Sequence, residues 1–413
     1  MSEIKRFAAL SLLITFLLLL IIGGGCSLRG SESLAAPVEE LDQRLVDANN
    51  GFGFHLYSEL ILAEPDVNLL ISPSSIITAL AMTYNGADGE TREAMANALK
   101  LGEMSMDEVN RAFANLLTIL QNPDPEVELA VANSLWAREG VDFYEEFLEC
   151  NREFYNAEVA ELDFDNAGAA DVINRWVKEQ TRDKIDGIVE PPINPETILF
   201  LINAIYFNGD WSVPFDPDNT TDVEFSSSDG SKSEHPLMFR NDDFRYYEND
   251  LFQAVSLPYG KNERVSMYVL LPVEEKGLEQ LYAELNNANW NSWVNSFRTM
   301  EGELGLPRFR FEYETSLNDA LKALGMGIAF DENAADFSGM RPTPPSLFIS
   351  EVKHKAFIDV NEEGTEAAAV TSVEVSETAM PETFSMIVDR PFFFAVADDM
   401  TGTILFMGSV LKL

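Results

Sequence analysis

Histidine and cysteine, the side chains that most often act as bases, nucleophiles or metal ligands, are scarce in this chain. Its 413 residues include three histidines and two cysteines. His55, His235 and His354 lie far apart, and none has the spacing of a metal-ligand pair. The sequence also lacks a phosphate-binding glycine loop, a Cys-x-x-Cys pair and a G-x-S-x-G nucleophile motif. These patterns predict no metal site.

A Ser-His-Asp hydrolase is an alternative, because the members of a triad need not be neighbours in sequence. His354 and Asp359, both near the ends of predicted strands, would be its base and its acid. However, His354 lies between Lys353 and Lys355 in an alternating strand. An isolated histidine in that setting is more typical of a hydrogen-bonded core residue than of a base.

The segment 361–381 shows the sequence pattern of a half-buried strand and also that of an exposed loop. At a period of two residues, one face is small or apolar throughout and the other carries the charges, which is typical of a half-buried strand. Its flanks, rich in Glu and Gly on one side and ending in Pro381 on the other, favour an exposed loop. The small face consists of Thr365, Ala367, Ala369, Thr371, Val373 and Val375, and the other face of Glu366, Ala368, Val370, Ser372, Glu374 and Ser376.

The elements around this segment predict an α+β fold. Helical periodicity dominates the first half, within 45–61, 76–84, 91–101, 107–121, 143–155 and 171–181. Runs rich in β-branched and aromatic residues dominate the second half, and Glu303 to Tyr313 is predicted as one strand. Helices mostly first and strands mostly later indicate mixed or antiparallel sheets. No repeat or interior linker is visible, so residues 41–413 are predicted to form one domain.

The composition restricts the partners. The chain has 69 acidic and 28 basic residues, a net charge of -41, and 46% hydrophobic residues. That charge repels nucleic acid and anionic lipid, so nucleic-acid binding is excluded. The acidity favours solubility over an acidic docking face, because no long single-sign run marks a partner site.

The N-terminus predicts export. Lys5 and Arg6 precede an apolar run, and small residues then lead to Cys26, so residues 1–26 read as a signal peptide. The small residues before Cys26 resemble the lipobox of prokaryotic lipoproteins, in which the cysteine becomes lipidated. An uncleaved membrane anchor is the alternative. In both cases residues 27–40 form a flexible tether, the remainder is extracellular, and the N-terminal segment is the only membrane attachment. With Cys26 lipidated, Cys150 is predicted to be a free, partly buried thiol.

Several blocks, in one order, resemble the serpins over nearly all of residues 41–413. No single block is specific, but together they are. They are NLLISPSSI (Asn68–Ile76), ALAMTYNGADGET (Ala79–Thr91), INRWVKEQT (Ile173–Thr181), LINAIYFNGDW (Leu201–Trp211), SEVKHKAFIDVNEEGTEAAA (Ser350–Ala369) and DRPFFF (Asp389–Phe394).

The resemblance implies helices packed around three β-sheets, with an exposed C-terminal reactive-centre loop. It also implies a suicide-type inhibitor of serine, and in some members cysteine, endopeptidases that needs no cofactor and acts as a monomer. The protease forms an acyl-enzyme with the loop, which then inserts into a β-sheet and carries the protease with it. The other function considered is a non-inhibitory serpin-fold protein for binding or surface structure, which bulky or charged hinge residues would favour.

Residue roles follow from the resemblance by position. Insertion requires every second hinge residue to be small and uncharged, which Thr365, Ala367 and Ala369 satisfy. The family's lysines are replaced by Asn208-Gly209-Asp210, which places any basic interaction there in doubt. The implied hinge is Glu362, Gly364, Thr365, Glu366, Ala367, Ala368 and Ala369; the implied sheet-opening cluster is Ser72, Ser75, Asn203 and His354; and the implied top-of-sheet residues are Trp211 and Arg308, the latter as the basic partner of Glu362.

The family's hinge-to-cleavage distance places the scissile bond between Thr378 and Ala379, with Glu377 and Met380 as alternatives. The sequence has no lysine or arginine between Lys355 and Arg390. A trypsin-like protease, whose pocket pairs a cation with a buried aspartate, therefore has no bait here. The predicted targets are elastase-like, subtilisin-like or chymotrypsin-like proteases.

Overall fold

Two β-sheets with helices packed on and around them make up the fold, in agreement with the predicted α+β class. The computed structural model describes residues 41–120, 123–140, 142–344, 346–365 and 383–413. The α-helices in these ranges are α1 (Gln43–Ala63), α2 (Pro73–Tyr84), α3 (Gly89–Ala98), α4 (Met106–Leu120), α5 (Glu145–Tyr155), α6 (Ala169–Gln180), α7 (Gly277–Glu284), α8 (Asn287–Val294) and α9 (Asn318–Leu321). The strands are β1 (Leu69–Ile71), β2 (Val127–Arg138), β3 (Glu158–Leu162), β4 (Leu199–Asp210), β5 (Thr220–Ser226), β6 (Lys232–Glu248), β7 (Phe252–Tyr259), β8 (Val265–Pro272), β9 (Arg298–Pro307), β10 (Phe309–Ser316), β11 (Glu351–Val360), β12 (Gly364–Thr365), β13 (Phe384–Ile387), β14 (Phe392–Asp398) and β15 (Thr403–Val410).

The helices begin where the sequence supplies capping residues. The side chain of Asp42 accepts a hydrogen bond from the Arg44 N–H at the start of α1. Ser72 caps α2 in the same way, through the Ser75 N–H, and Pro73 occupies the first helical position. The start of α2 is therefore fixed directly beneath the smaller sheet.

The larger sheet contains nine described strands in the order β1-β15-β14-β8-β7-β6-β9-β13, with β5 paired to β6 alone among them. Its central strands β8, β14 and β15 are buried along their whole length, because side chains cover both faces. The 17-residue strand β6 pairs with β5 along residues 232–238, with β9 along residues 237–246 and with β7 along residues 245–248. β6 therefore links the strands on both of its sides into one sheet, so that strand pairing among the described residues connects the sheets of the fold into two.

The smaller sheet contains six described strands, β10-β11-β4-β2-β3 with β12 paired to β4. β11 and β4 are parallel, whereas β2 and β4 are antiparallel. Along β4, Leu201, Ile205 and Phe207 face the main core, and Ile202 and Tyr206 face a second core beneath α6. Both faces of β4 are therefore buried.

Two predicted elements were wrong in detail. The run Glu303 to Tyr313, predicted as one strand, is divided between β9 and β10, which lie in different sheets. The division falls at Arg308, directly after Pro307, where the chain leaves one sheet for the other. Most of β6 was not predicted as a strand, because its exposed half carries polar residues.

The predicted signal peptide, lipidated Cys26 and tether (1–40) lie outside the described residues. So do the hinge residues Glu366 to Ala369 and the four bait residues Glu377, Thr378, Ala379 and Met380. In the described ranges, no helix combines the length and the apolar character that crossing a bilayer requires.

Candidate functional site

The site centres on the junction between β4 and β11, here called the seam. The two strands pair in parallel from Phe200 opposite Glu351 to Tyr206 opposite Phe357. Pairing between them ends there, although β4 continues to Asp210 and β11 to Val360. The seam is therefore closed along most of its length and open at one end.

The chain that leaves β11 turns back at this open end. The Asn361 N–H donates to the Gly364 carbonyl over 2.9 Å, and β12 then pairs antiparallel with β4, Gly364 opposite Asp210 and Thr365 opposite Gly209. Gly364 has φ +140°, and a Cβ there would overlap the Gly209 carbonyl oxygen. Glycine is required because the hinge backbone approaches β4 directly.

Trp211, the residue directly after β4, donates two hydrogen bonds to this turn. Its Nε1 donates to the Asn361 carbonyl and its backbone N–H to the Glu363 carbonyl, both over 2.9 Å. Its ring stacks on Tyr259, with centroids 4.2 Å apart and an interplanar angle of 16°. The turn is therefore hydrogen-bonded to Trp211, whose ring is itself stacked on Tyr259.

Glu362 fixes the turn through its buried side chain, which is 5% exposed. Arg308 donates to its carboxylate from Nε over 2.8 Å and also from the second terminal nitrogen, and the Thr220 hydroxyl donates to the same oxygen. Burial alone would raise the pKa of Glu362. The hydrogen bonds from Arg308 and Thr220 outweigh burial and hold the pKa below its usual value. The carboxylate is therefore ionised and paired.

A row of polar side chains crosses the centre of the seam. Asn133, Asn203 and His354 are cross-strand neighbours on β2, β4 and β11. The Asn203 amide donates to Ser75 Oγ and, over 2.6 Å, to Asn133 Oδ1, and its own Oδ1 lies 2.5 Å from His354 Nδ1. Ser72 Oγ caps α2 below this row. Insertion of a strand between β4 and β11 would have to break the bond between Asn203 and His354.

His354 is a neutral donor in this row. Burial lowers its pKa to about 3, and the Leu70 backbone offsets this only in part. Because the Asn203 amide nitrogen already donates twice, its oxygen accepts from His354, which therefore carries its proton on Nδ1. His354 is 0% exposed and cannot meet a substrate.

The geometry contradicts the triad alternative. His354 and Asp359 lie five positions apart on β11 and so point to opposite faces of the sheet. Asp359 is paired across the strands with Arg310, at 3.7 Å. Among the described residues, no group of three or more His, Cys, Asp or Glu side chains is arranged to hold a metal ion.

The comparisons agree with this geometry. A family model described as Serpin (serine protease inhibitor) matches residues 47–413. The chain belongs to the serpin family. An uncharacterised serpin-like protein of Thermococcus kodakarensis is 40% identical over 383 residues, which cover 91% of this chain and 87% of the relative.

Solved serpin structures match most of this chain. The thermophilic serpin tengpin in its native state gives a TM-score of 0.84 at 32% identity, covering 91% of this chain and 96% of tengpin. Human thyroxine-binding globulin in complex with thyroxine gives 0.83 at 29% identity, covering 90% of this chain and 98% of the globulin. The serpin fold is thereby confirmed, and membership supports a protease-inhibitor type of function in general.

The structure of this serpin brings the predicted site residues into two groups. Glu362, Gly364, Trp211 and Arg308 meet at the open end of the seam, and Ser72, Ser75, Asn203 and His354 meet at its centre. Their roles in insertion stay predictions. Cys150 is a free, half-buried thiol 3.4 Å from the Asn110 amide nitrogen, and burial raises its pKa.

Lys355 is a residue at the seam whose contacts the sequence did not reveal. Its Nζ lies 2.9 Å from each of three oxygens, on Gly187, Glu312 and Glu314. Gly187 belongs to the segment that follows α6, and Asn174 of α6 accepts hydrogen bonds from the next two backbone N–H groups. The segment after α6 is therefore hydrogen-bonded both to α6 and to β11. It lies on the face of the seam that packs against α6.

Asn133 and Thr220 were also missed. Asn133 completes the polar row, and Thr220 completes the shell around Glu362. Neither stands out in the sequence, because each acquires its role only from strand register. For Asn133 the one available signal was an asparagine at a core-facing position of a predicted strand. A buried amide of this kind must find hydrogen-bond partners, so it indicates a polar contact in the core.

Proposed function

We propose that this serpin is a suicide inhibitor of serine endopeptidases that traps the acyl-enzyme by inserting its cleaved loop into the seam. One observation carries the proposal. β12 already runs antiparallel beside β4 at the open end of the seam. Antiparallel is the only direction in which the residues after Thr365 can enter between β4 and β11.

The register of β12 determines where each inserted residue would lie. Gly364 is opposite Asp210 and Thr365 is opposite Gly209, so each later residue comes opposite an earlier residue of β4. Continued register places Ala367 opposite Phe207, Ala369 opposite Ile205 and so on. The small face of the hinge would then meet the main core, because Phe207 and Ile205 belong to it. The charges Glu366 and Glu374 would take the other face.

The hydrogen-bond balance favours insertion. The parallel pairing between β4 and β11 would be lost, but the inserted strand would pair on both of its sides. A net gain of about ten ladder bonds at ~1 kcal/mol each amounts to ~10 kcal/mol. The contacts holding the seam closed, above all Asn203 with His354 and Lys355 with Gly187, set a barrier against insertion before cleavage.

The bait is proposed at Thr378–Ala379, with Glu377 and Met380 as alternatives. The absence of basic residues between Lys355 and Arg390 supports elastase-like, subtilisin-like or chymotrypsin-like targets over trypsin-like ones. The N-terminal apolar run and Cys26 support an extracellular protein held at the cell surface as a lipoprotein or by an uncleaved anchor.

A non-inhibitory binding protein is the second candidate. It is favoured by the similarity to human thyroxine-binding globulin in complex with thyroxine, which shows that the same fold binds a small molecule. It is disfavoured by the small, uncharged residues at alternate hinge positions, which binding alone does not require.

One experiment separates the functions. The protein is incubated with subtilisin, elastase, chymotrypsin and trypsin, and the products are resolved on denaturing gels with the cleavage sites mapped by mass spectrometry. Inhibition predicts a denaturant-resistant complex with at least one of the first three proteases, joined at residues 377–380. Clipping at the loop without any complex would refute inhibition and support the binding protein. Peptide hydrolysis by the protein alone would indicate an enzyme.

A further inference from the structure

The sequence contains a single Asn-x-Ser/Thr tripeptide without proline in the middle, Asn219-Thr220-Thr221. This pattern is the acceptor for asparagine-linked glycans, because the hydroxyl two residues on takes part in recognition by the transferase. A tripeptide of this kind carries weight only if the chain presents it on an accessible surface.

The structure presents it at an exposed turn. Asn219 ends a short 3-10 turn, Pro217–Asn219, which Asp216 caps by accepting a hydrogen bond from the Asp218 N–H over 3.0 Å. β5 begins at the next residue. Asn219 and Thr221 are both exposed.

The strand that follows is an edge. Among the described strands β5 pairs with β6 alone, so its other side has no strand neighbour there. An unprotected edge is a site of unwanted strand pairing, and a bulky hydrophilic group at its start would obstruct such pairing.

We propose that Asn219 is the acceptor of an asparagine-linked glycan, added as the chain is exported; the inference therefore rests on the proposed extracellular location. The donor is a lipid-linked oligosaccharide diphosphate. A bond forms between Asn219 Nδ2 and the anomeric carbon of the first sugar, and the bond from that carbon to the diphosphate oxygen breaks. The lipid diphosphate leaves with the electron pair, and the amide proton passes to a base of the transferase.

The glycan would stand beside the hinge. The Thr220 hydroxyl donates to Glu362, and Pro217 lines a groove of about 720 Å³ together with Arg308 and Glu362. Asn219 itself is exposed, so the sugar extends into solvent and leaves the pairing of Glu362 intact. The glycan would therefore screen the edge strand and the mouth of the groove without altering the seam.

The test expresses the full chain in secretory cells with asparagine-linked glycosylation and analyses the 219–221 peptide by mass spectrometry, with and without peptide-N-glycosidase. We expect a glycosylated peptide whose Asn219 becomes aspartate on enzymatic release. Asn219→Gln and Thr221→Ala should abolish the modification, whereas Thr221→Ser should retain it. All three should still form the protease complex of the parent chain.

A second measurement removes the dependence on export. Purified full-length chain is given to a single-subunit oligosaccharyltransferase with its lipid-linked donor. Transfer to Asn219 in this assay, combined with a chain that the cells retain and leave unmodified, supports the acceptor site and contradicts only the extracellular location. Secreted protein with an unmodified Asn219, or failure of transfer in the purified system, overturns the proposal and leaves the inhibitory function untouched.

Discussion

Replacing Ala369 by aspartate tests whether the loop enters the seam in the register that β12 begins. In that register Ala369 comes opposite Ile205, which is 0% exposed and belongs to the main core. An unpaired carboxylate buried there costs about 3–5 kcal/mol. When position 369 reaches the sheet, only the three residues from Glu366 to Ala368 have been added to the pairing that β12 already makes, a gain of ~3 kcal/mol at ~1 kcal/mol per ladder bond.

The free-energy cost of burying the carboxylate then nearly equals the free energy gained from the new ladder bonds. Insertion therefore stalls, and the acyl-enzyme has time to hydrolyse. We expect Ala369→Asp to be cleaved as a substrate, with the yield of denaturant-resistant complex reduced at least tenfold. Ala369→Ser, which is small and neutral, should retain the complex and serves as the matched control.

Thermal unfolding after cleavage gives an independent measurement. The cleaved parent should melt well above its uncleaved form, because an inserted loop adds a full strand. The cleaved Ala369→Asp chain should show no such rise at pH 7 but should regain it below pH ~4, where an aspartate takes up its proton. A complex yield for Ala369→Asp equal to that of the parent would refute the register and, with it, insertion of this face of the loop as the step that traps the protease.

Three further predictions concern the hinge turn and the loop after α6. Gly364→Ala should lower the free energy of unfolding by at least ~2 kcal/mol in urea titrations, because its φ of +140° and the Gly209 carbonyl exclude a side chain; an unchanged midpoint would contradict the close approach. The folded-state pKa of Glu362 is depressed, so the stability it contributes is present above its ordinary pKa of 4.5 and is lost as the pH falls below that value. Glu362→Gln should therefore flatten the acid limb of the stability curve, and an identical acid limb in both proteins would show that Arg308 does not stabilise the carboxylate. Asp183, at φ +61°, holds a left-handed conformation, so Asp183→Gly should raise the free energy of unfolding by up to ~1 kcal/mol without changing complex formation; a decrease would mean that its side chain has a structural role.

Much of the site could be predicted because its residues lie in distinctive blocks. The α+β class follows from the order of helical and strand patterns, and the buried state of His354 follows from its place in an alternating strand. The pairing of Glu362 with Arg308 follows from the family resemblance. The small face of the hinge could be recognised from alternation alone, without any comparison.

Other features depend on register and could not be predicted. Asn133 joins Asn203 only because β2 and β4 pair at that position, and Lys355 reaches Gly187 only after the segment beyond α6 folds over the seam. The division of the predicted strand at Arg308 depends on tertiary packing, since residues on both sides of it favour strand equally. α8, rich in asparagine, gave no helical pattern, and its Trp290 and Trp293 are buried by neighbouring elements.

The length of β4 has a consequence for how far a trapped protease would travel. The strand has 12 residues, which at about 3.4 Å each gives a track of roughly 40 Å. Counted in the register of β12, Ser376 would come level with Ile198, just past the far end of the track, so a protease attached at Thr378 would be carried from one end of the sheet to the other. Shortening the loop by one residue would shorten that journey by only one step of the strand, but it would turn the residues beyond the deletion to the opposite face of the sheet. Inserting or deleting an even number of loop residues keeps the small side chains facing the main core, whereas an odd number turns them to the other face. An even change in loop length should therefore be tolerated better than an odd one.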